Sequence, residues 1–185
     1  MDEKGLAVLR TTHQTRDMVM MRGKVIRFGD NISTDLLIPG RYMHLRSNLP
    51  ELAKHACEDV DSDFVNKVRE GDFVVAGRNF GLGSSREHAA IVLKMNGVGA
   101  VVAKSFARIF FRNAINIGLP VIMTDTDSIK AGDELELDLA AGTLSDLTNR
   151  EKLSFSKLPG VMLQILDEGG LIPYVKKYGD FKMQV

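Results

Sequence analysis

Short apolar runs alternate with helix-patterned segments through the middle of the chain. Asp72-Phe73-Val74-Val75-Ala76 reads as a strand, Ser85 to Met95 as a helix, Val98 to Ala103 as a strand, Phe106 to Asn116 as a helix and Pro120 to Thr124 as a strand. Gly97 and Gly118 fall where left-handed residues close helices, and Ser105 is a suitable N-cap for the second of them. This βαβαβ rhythm predicts an α/β fold with parallel strands and right-handed crossovers. Its strand-to-helix turns would gather at the carboxyl edge of the sheet, where ligands bind in such folds.

The flanks follow other patterns. Lys24-Val25-Ile26-Arg27-Phe28 is strand-like and runs into the turn signal Gly29-Asp30-Asn31, then a polar loop from Thr34 to Pro50, then a helix from Glu51 to about Glu58. Gly132 to Leu139 and Gly142-Thr143-Leu144 alternate polar and apolar like a hairpin, whose acidic face reads as a solvated surface. Leu158-Pro159-Gly160 marks a turn, and Val161 to Glu168 reads as a terminal helix closed by Gly169-Gly170. Residues 1–21 differ in composition, polar and mixed as far as Met18-Val19-Met20-Met21. They are expected to be an N-terminal extension, either preceding a true initiator at Met20 or Met21 or forming an arm on a partner, ahead of a single domain over 22–185.

Composition narrows the class. The 185 residues, 44% hydrophobic and 26% charged, suit one domain with a sizeable core. Formal charge is zero, from 24 basic and 24 acidic residues, so no global field recruits nucleic acid or an anionic membrane. Asp2 and Glu3 precede no unbroken apolar run, so neither a secretory signal nor a membrane span is expected, and the location expected is the reducing cytoplasm. The one cysteine, Cys57, reads as a buried structural thiol; it can make no internal disulfide and cannot ligate an iron–sulfur cluster alone. His13, His44, His55 and His88 lack the spacing of a metal site. Lys104, Arg108 and Arg112 recur at helical spacing and read by default as a solvated face, with the flank of a cleft or a contact with a partner chain as alternatives.

Candidate chemistry concentrates in Gly77-Arg78-Asn79-Phe80-Gly81-Leu82-Gly83-Ser84-Ser85-Arg86-Glu87-His88, a glycine-rich strand-to-helix turn. Gly77, Gly81 and Gly83 allow positive φ and close approach of backbone to a ligand. Ser84 and Glu87 have capping-box spacing, and Arg86 adds a bidentate donor for an anion held at the first helical turn. Phosphate-loop and nucleophile-elbow motifs are not matched.

These residues resemble the swivel domain of the aconitase superfamily, especially the free-standing small subunits of the 3-isopropylmalate dehydratase and homoaconitase type. The resemblance runs through Gly23 to Tyr42, Glu51 to His55, Gly77 to Glu87, Ser105 to Ala114 and Asn116 to Pro120, which is most of the chain. It implies a swivelling β/β/α domain and a hydro-lyase that removes water from a small hydroxy-dicarboxylate and returns it with the hydroxyl on the adjacent carbon. It also implies a [4Fe–4S] cluster carried with its cysteines by a large-subunit partner, with no cofactor or metal on this chain. Ser84 aligns with the catalytic serine that takes the proton beside a carboxylate, and Arg86 with the substrate-binding arginine. Ser85 either adds a hydrogen bond to substrate or holds the turn.

A loop following Asn31-Ile32-Ser33-Thr34-Asp35 enters the cleft in the family and discriminates substrates. Here it reads Gly40-Arg41-Tyr42-Met43-His44-Leu45-Arg46-Ser47-Asn48, with one residue more before Glu51 than in many small subunits. Arg41, His44 and Arg46 compete for the substrate-facing position, and Arg46 is favoured; Met43 and Leu45 are candidates to touch an alkyl branch. Asp35 reads as a holder of the turn. The activity implied is 3-isopropylmalate dehydratase, in leucine biosynthesis. The alternatives are homoaconitase, a citramalate or dimethylmalate dehydratase, and a non-catalytic binding module that kept the fold.

Overall fold

The computed structural model describes residues 20–179, so most of the N-terminal extension, 1–19, lies outside the described residues. Seven strands, β1 (Met20–Arg27), β2 (Phe73–Ala76), β3 (Ala100–Ala103), β4 (Val121–Met123), β5 (Glu134–Asp138), β6 (Thr143–Asp146) and β7 (Glu151–Ser154), form one sheet in the order β4-β3-β2-β1-β5-β6-β7. β1 joins its two halves. From Met20 to Lys24 it pairs antiparallel with β5, and from Val25 to Arg27 it pairs parallel with β2. β2, β3 and β4 continue parallel, whereas β5, β6 and β7 form an antiparallel meander.

The burial of each half follows from its sequence. Phe73-Val74-Val75-Ala76 and Ala100-Val101-Val102-Ala103 are buried throughout, as unbroken apolar runs in a parallel sheet must be. β5 alternates, with Leu135 and Leu137 buried between half-exposed acidic residues. Among the described residues, seven helices accompany the sheet: α1 (Thr34–Leu37), α2 (Leu49–Ala53), α3 (Phe64–Lys67), α4 (His88–Met95), α5 (Arg108–Asn116), α6 (Gly160–Asp167) and α7 (Leu171–Tyr178). α4 packs on α1, α2 and α5, and α5 packs on α6 and α7. The α/β reading holds, with parallel strands flanked by helices and the C-terminal hairpin in place.

Several elements differ from the sequence reading. The Thr34–Pro50 loop contains α1 and a 3-10 turn, Gly40–Leu45, and α2 already begins at Leu49. Ser33 Oγ caps α1 by accepting Leu36 N at 3.2 Å, and Asn48 Oδ1 caps α2 by accepting Glu51 N at 3.4 Å. The helix expected to reach Glu58 stops at Ala53, because Cys57 takes a left-handed φ of 59° and its N–H turns to Leu37 O at 2.9 Å. Cys57 is wholly buried, and burial pushes its thiol well above the ordinary range, which leaves it inert. Asp133 belongs to no solvated face: it is buried and accepts Lys130 N at 2.7 Å. β7 and α7 were not foreseen. Met20 and Met21, assigned to the extension, pair with Asp138 and Leu137 in the sheet.

Candidate functional site

The carboxyl ends of the parallel strands are stitched together by the loops that leave them. Gly77 N donates to Gly29 O, Asn31 N to Arg78 O at 2.8 Å, Gly81 N to Ile32 O at 2.7 Å and Thr34 N to Leu82 O at 2.8 Å. Ser33 and Leu82 form a parallel bridge, as do Phe80 and Phe106, so strand-like pairing continues beyond β1, β2 and β3. Asn31 and Asn79, both at left-handed φ, are joined by Asn79 Nδ2 donating to Asn31 Oδ1 at 2.8 Å. This pairing carries the serine turn directly over the start of α1.

Ser84 sits exposed at the tip of that turn. Among the described residues, its hydrogen-bond contacts all go to one buried side chain, Thr34, which is 1% exposed. Ser84 N donates to Thr34 Oγ1 at 3.1 Å, the two hydroxyl oxygens lie 3.2 Å apart, and Ser84 O is 3.4 Å from Thr34 Oγ1. The expected capping box is not formed. α4 begins at His88 rather than Ser85, its N-cap Glu87 makes no side-chain cap bond, and Ser84 is tied across the loop instead. The helix N-terminus therefore lies beyond the serines, and the nearest fixed donors are local ones. Among the described residues, the N–H groups of Ser85 and Arg86 donate to no acceptor. Ser85 is exposed, and its carbonyl accepts Asn113 Nδ2 of α5 at 3.4 Å.

Arg86 lies beside the same α1 turn. Its Nη1 donates to Asp35 Oδ1 and, at 3.5 Å, to Ile38 O, whereas Nε and Nη2 engage no partner among the described residues. With 25% of its side chain exposed, the guanidinium keeps one edge for a carboxylate. Thr34 and Asp35, adjacent in sequence, thus hold Ser84 and Arg86 respectively. Sequence reasoning gave Asp35 a turn-holding part and overlooked Thr34. The available signal was a hydroxyl–carboxylate pair following β1 in register with the serine turn.

The structure separates the three candidates of the neighbouring loop. Arg41 donates to Asp59 at 2.7 and 2.9 Å and to Glu58 at 3.1 Å, and its guanidinium lies 4.8 Å from the centre of the Tyr42 ring. Glu58 also accepts Tyr42 Oη at 2.9 Å and His55 Nδ1 at 3.0 Å, and the Tyr42 and His55 rings stack at 3.7 Å. His44 Nδ1 contacts Arg41 O at 2.9 Å. Arg46 is exposed and its side chain has no hydrogen bond or ion pair among the described residues. Met43 and Leu45, the candidates for an alkyl branch, are half-buried and pack against the core. Lys104 is at the end of β3, not on a helix face, and is neutralised by Asp127 and Asp125; Arg108 and Arg112 are exposed on α5.

The Arg41 clamp gives the loop a pH dependence. The His55 and Tyr42 bonds hold Glu58 below the usual carboxylate range, and Arg41 does the same for Asp59. Carboxyls with lowered folded pKa stabilise fully above their unfolded values, about 4, and lose that contribution as pH falls through the folded ones. Arg41→Gln is therefore expected to melt below the parent at pH 7, with the gap narrowing below about pH 4 and closing at lower pH. Thermal melts across pH 2.5–7 check this, and a gap constant to the lowest pH contradicts it.

A cluster on this chain does not fit the residues present. The sequence holds a single cysteine, buried at Cys57, and among the described residues no three His, Cys, Asp or Glu side chains converge on a metal position. No described helix is long and apolar enough to cross a membrane.

Residues 11–126 match the aconitase C-terminal domain family, a span that includes β1, the α1 turn, the serine turn and α5. The chain belongs to that family. A 3-isopropylmalate dehydratase small subunit 2 from Archaeoglobus fulgidus is 62% identical over 163 residues, covering 88% of this chain and 99% of the relative. A small subunit 1 of the same enzyme name from Thermotoga maritima is 59% identical, covering 88% of this chain and 98% of the relative. The crystal structure of a 3-isopropylmalate dehydratase from Methanocaldococcus jannaschii superposes with a TM-score of 0.83 at 45% identity, over 86% of this chain and 95% of that one. The mixed sheet and its flanking helices are thus the architecture of the family.

Proposed function

We propose that this chain is the small subunit of a 3-isopropylmalate dehydratase, a hydro-lyase that works only with a large subunit. The complex converts 2-isopropylmalate to 3-isopropylmalate by removing water and adding it back with the hydroxyl on the neighbouring carbon. The observation that carries this reading is the 62% identity to a small subunit so named along nearly its whole length. Geometry supports it: an exposed serine and a half-engaged arginine stand side by side at the carboxyl edge of the sheet.

In this reading Ser84 is the base and Arg86 holds a substrate carboxylate so that the adjacent carbon acid faces the Ser84 oxygen. A serine hydroxyl is a weak base in water, so its charged form needs donors fixed beforehand, and the unpaired N–H groups of Ser85 and Arg86 suit that need. Ser85 contributes through this backbone donor. Arg46 is the substrate-facing arginine of the neighbouring loop in this reading, since Arg41 is consumed by Asp59 and Glu58. A [4Fe–4S] cluster held by the large subunit would supply Lewis acidity toward the substrate hydroxyl. The complex acts in the cytoplasm on a small dianion, without nucleic acid or membrane, in keeping with a chain of zero formal charge.

Combining this chain with its large subunit, reconstituting the cluster and assaying 2-isopropylmalate, homocitrate and dimethylmalate side by side tests the assignment. Turnover of 2-isopropylmalate above the other two is expected. Preference for homocitrate would move the chain to homoaconitase, and association without turnover of any substrate would make it a binding module.

A further inference from the structure

Thr34 is buried in the first turn of α1, yet its hydroxyl is spent on no helix carbonyl. Among the described residues, all its side-chain bonds go to Ser84. It accepts Ser84 N at 3.1 Å, and its single proton can be directed to Ser84 Oγ at 3.2 Å or to Ser84 O at 3.4 Å. A hydroxyl offers one donor and two acceptor positions, so accepting from the amide leaves its proton for one of those two oxygens.

We infer that Thr34 is the positioning residue of Ser84, holding the turn through the Ser84 amide and donating its proton to Ser84 Oγ whenever that oxygen carries negative charge. The inference rests on Ser84 being the base. No proton leaves Thr34: exposed Ser84 gives its own hydroxyl proton to water, the threonine hydroxyl rotates from the Ser84 carbonyl to the alkoxide, and it rotates back once Ser84 Oγ has taken the proton from the carbon acid. A charge-assisted bond then replaces a neutral one, from a donor already desolvated. Burial at 1% exposure fixes its rotamer and keeps water from taking the same place.

Thr34→Val preserves shape and removes the hydroxyl, and Thr34→Ser keeps the hydroxyl and removes a methyl. In the reconstituted complex, Thr34→Val is expected to lower kcat roughly 10- to 100-fold with KM nearly unchanged, and Thr34→Ser to restore most of it. In a Ser84→Ala background, Thr34→Val should cost nothing further. In the isolated chain, Ser84 amide hydrogen exchange should quicken in Thr34→Val and stay slow in Thr34→Ser. If valine prevents assembly, Thr34→Ala makes the same comparison. Unchanged kcat in Thr34→Val, an effect confined to KM, or an added loss in the Ser84→Ala background each overturns the role of Thr34. Full turnover in Ser84→Ala instead overturns the base assignment itself, so the two failures are told apart.

Discussion

Ser84→Ala in the reconstituted complex is expected to lower kcat by roughly 10²- to 10⁴-fold, the range for loss of a positioned acid–base group. Stability and assembly should change little. Ser84 is exposed, its side chain fills no part of the core, and among the described residues its hydroxyl bonds only Thr34 Oγ1. The amide bond to Thr34 survives the substitution, so the turn keeps its course. Arg86 stays anchored by Asp35 and KM should hold within a few fold, since carboxylate binding does not pass through the lost hydroxyl. Ser85→Ala is the internal control. That residue is equally exposed, but its described bond is through the carbonyl, which alanine retains. A thermal melt, a pull-down with the large subunit and steady-state rates for both variants are sufficient. Wild-type kcat in Ser84→Ala would reject Ser84 as the base.

The contrast between these two serines also shows what sequence can express. The parallel half was legible because it is punctuated: Phe73-Val74-Val75-Ala76 and Ala100-Val101-Val102-Ala103 are too apolar for anything but the interior, and Gly97 and Gly118 close the helices at φ of 85° and 76°. The serine turn was legible as a place. Its internal bonding was not, because Ser84 and Ser105 were assigned to their own helices and each is taken by a distant partner. Ser105 Oγ accepts Asn79 N at 2.8 Å, and Ser84 meets Thr34 across fifty positions. A cap is a local bargain that tertiary contacts override, and both helices start later than the cap signals indicated. α1, the 3-10 turn and α2 escaped for another reason: they are too short to show a period and exist by capping and packing. β7 is largely exposed, so no apolar alternation announces it.

Gly81→Ala should be strongly destabilising, and its cause differs from the one the sequence suggested. Positive φ and close approach were both expected of Gly81, with a ligand as the approaching group. The structure gives φ of 78° but puts the neighbour inside the protein: an added Cβ would lie 2.2 Å from Phe110 Cγ and 2.3 Å from Phe110 Cβ. Phe110 cannot yield, being 1% exposed and set edge-on to Phe80 at 5.1 Å between ring centres. Because its Cβ is itself in the way, a rotamer change does not relieve the overlap, and the turn must move away from α5. Left-handed strain costs about 1–2 kcal/mol and overpacking typically about 1–3, so a loss of about 2–5 kcal/mol is expected in urea unfolding. Gly83→Ala separates the two causes, since its φ is 107° but the nearest atom to the new methyl is Thr34 Oγ1 at 3.2 Å; about 1–2 kcal/mol is expected there. Gly29→Ala, with nothing within 4 Å and no positive φ, should fall within about 0.5 kcal/mol of the parent. Activity should follow the same order. Gly81 N is bonded to Ile32 O at 2.7 Å beside the Leu82–Thr34 bond, so moving the turn pulls Ser84 from Thr34, and about 1 Å of misplacement can cost on the order of 100-fold in rate. Equal losses in Gly81→Ala and Gly83→Ala would mean that the turn is not wedged against α5 and that left-handed φ alone sets the cost.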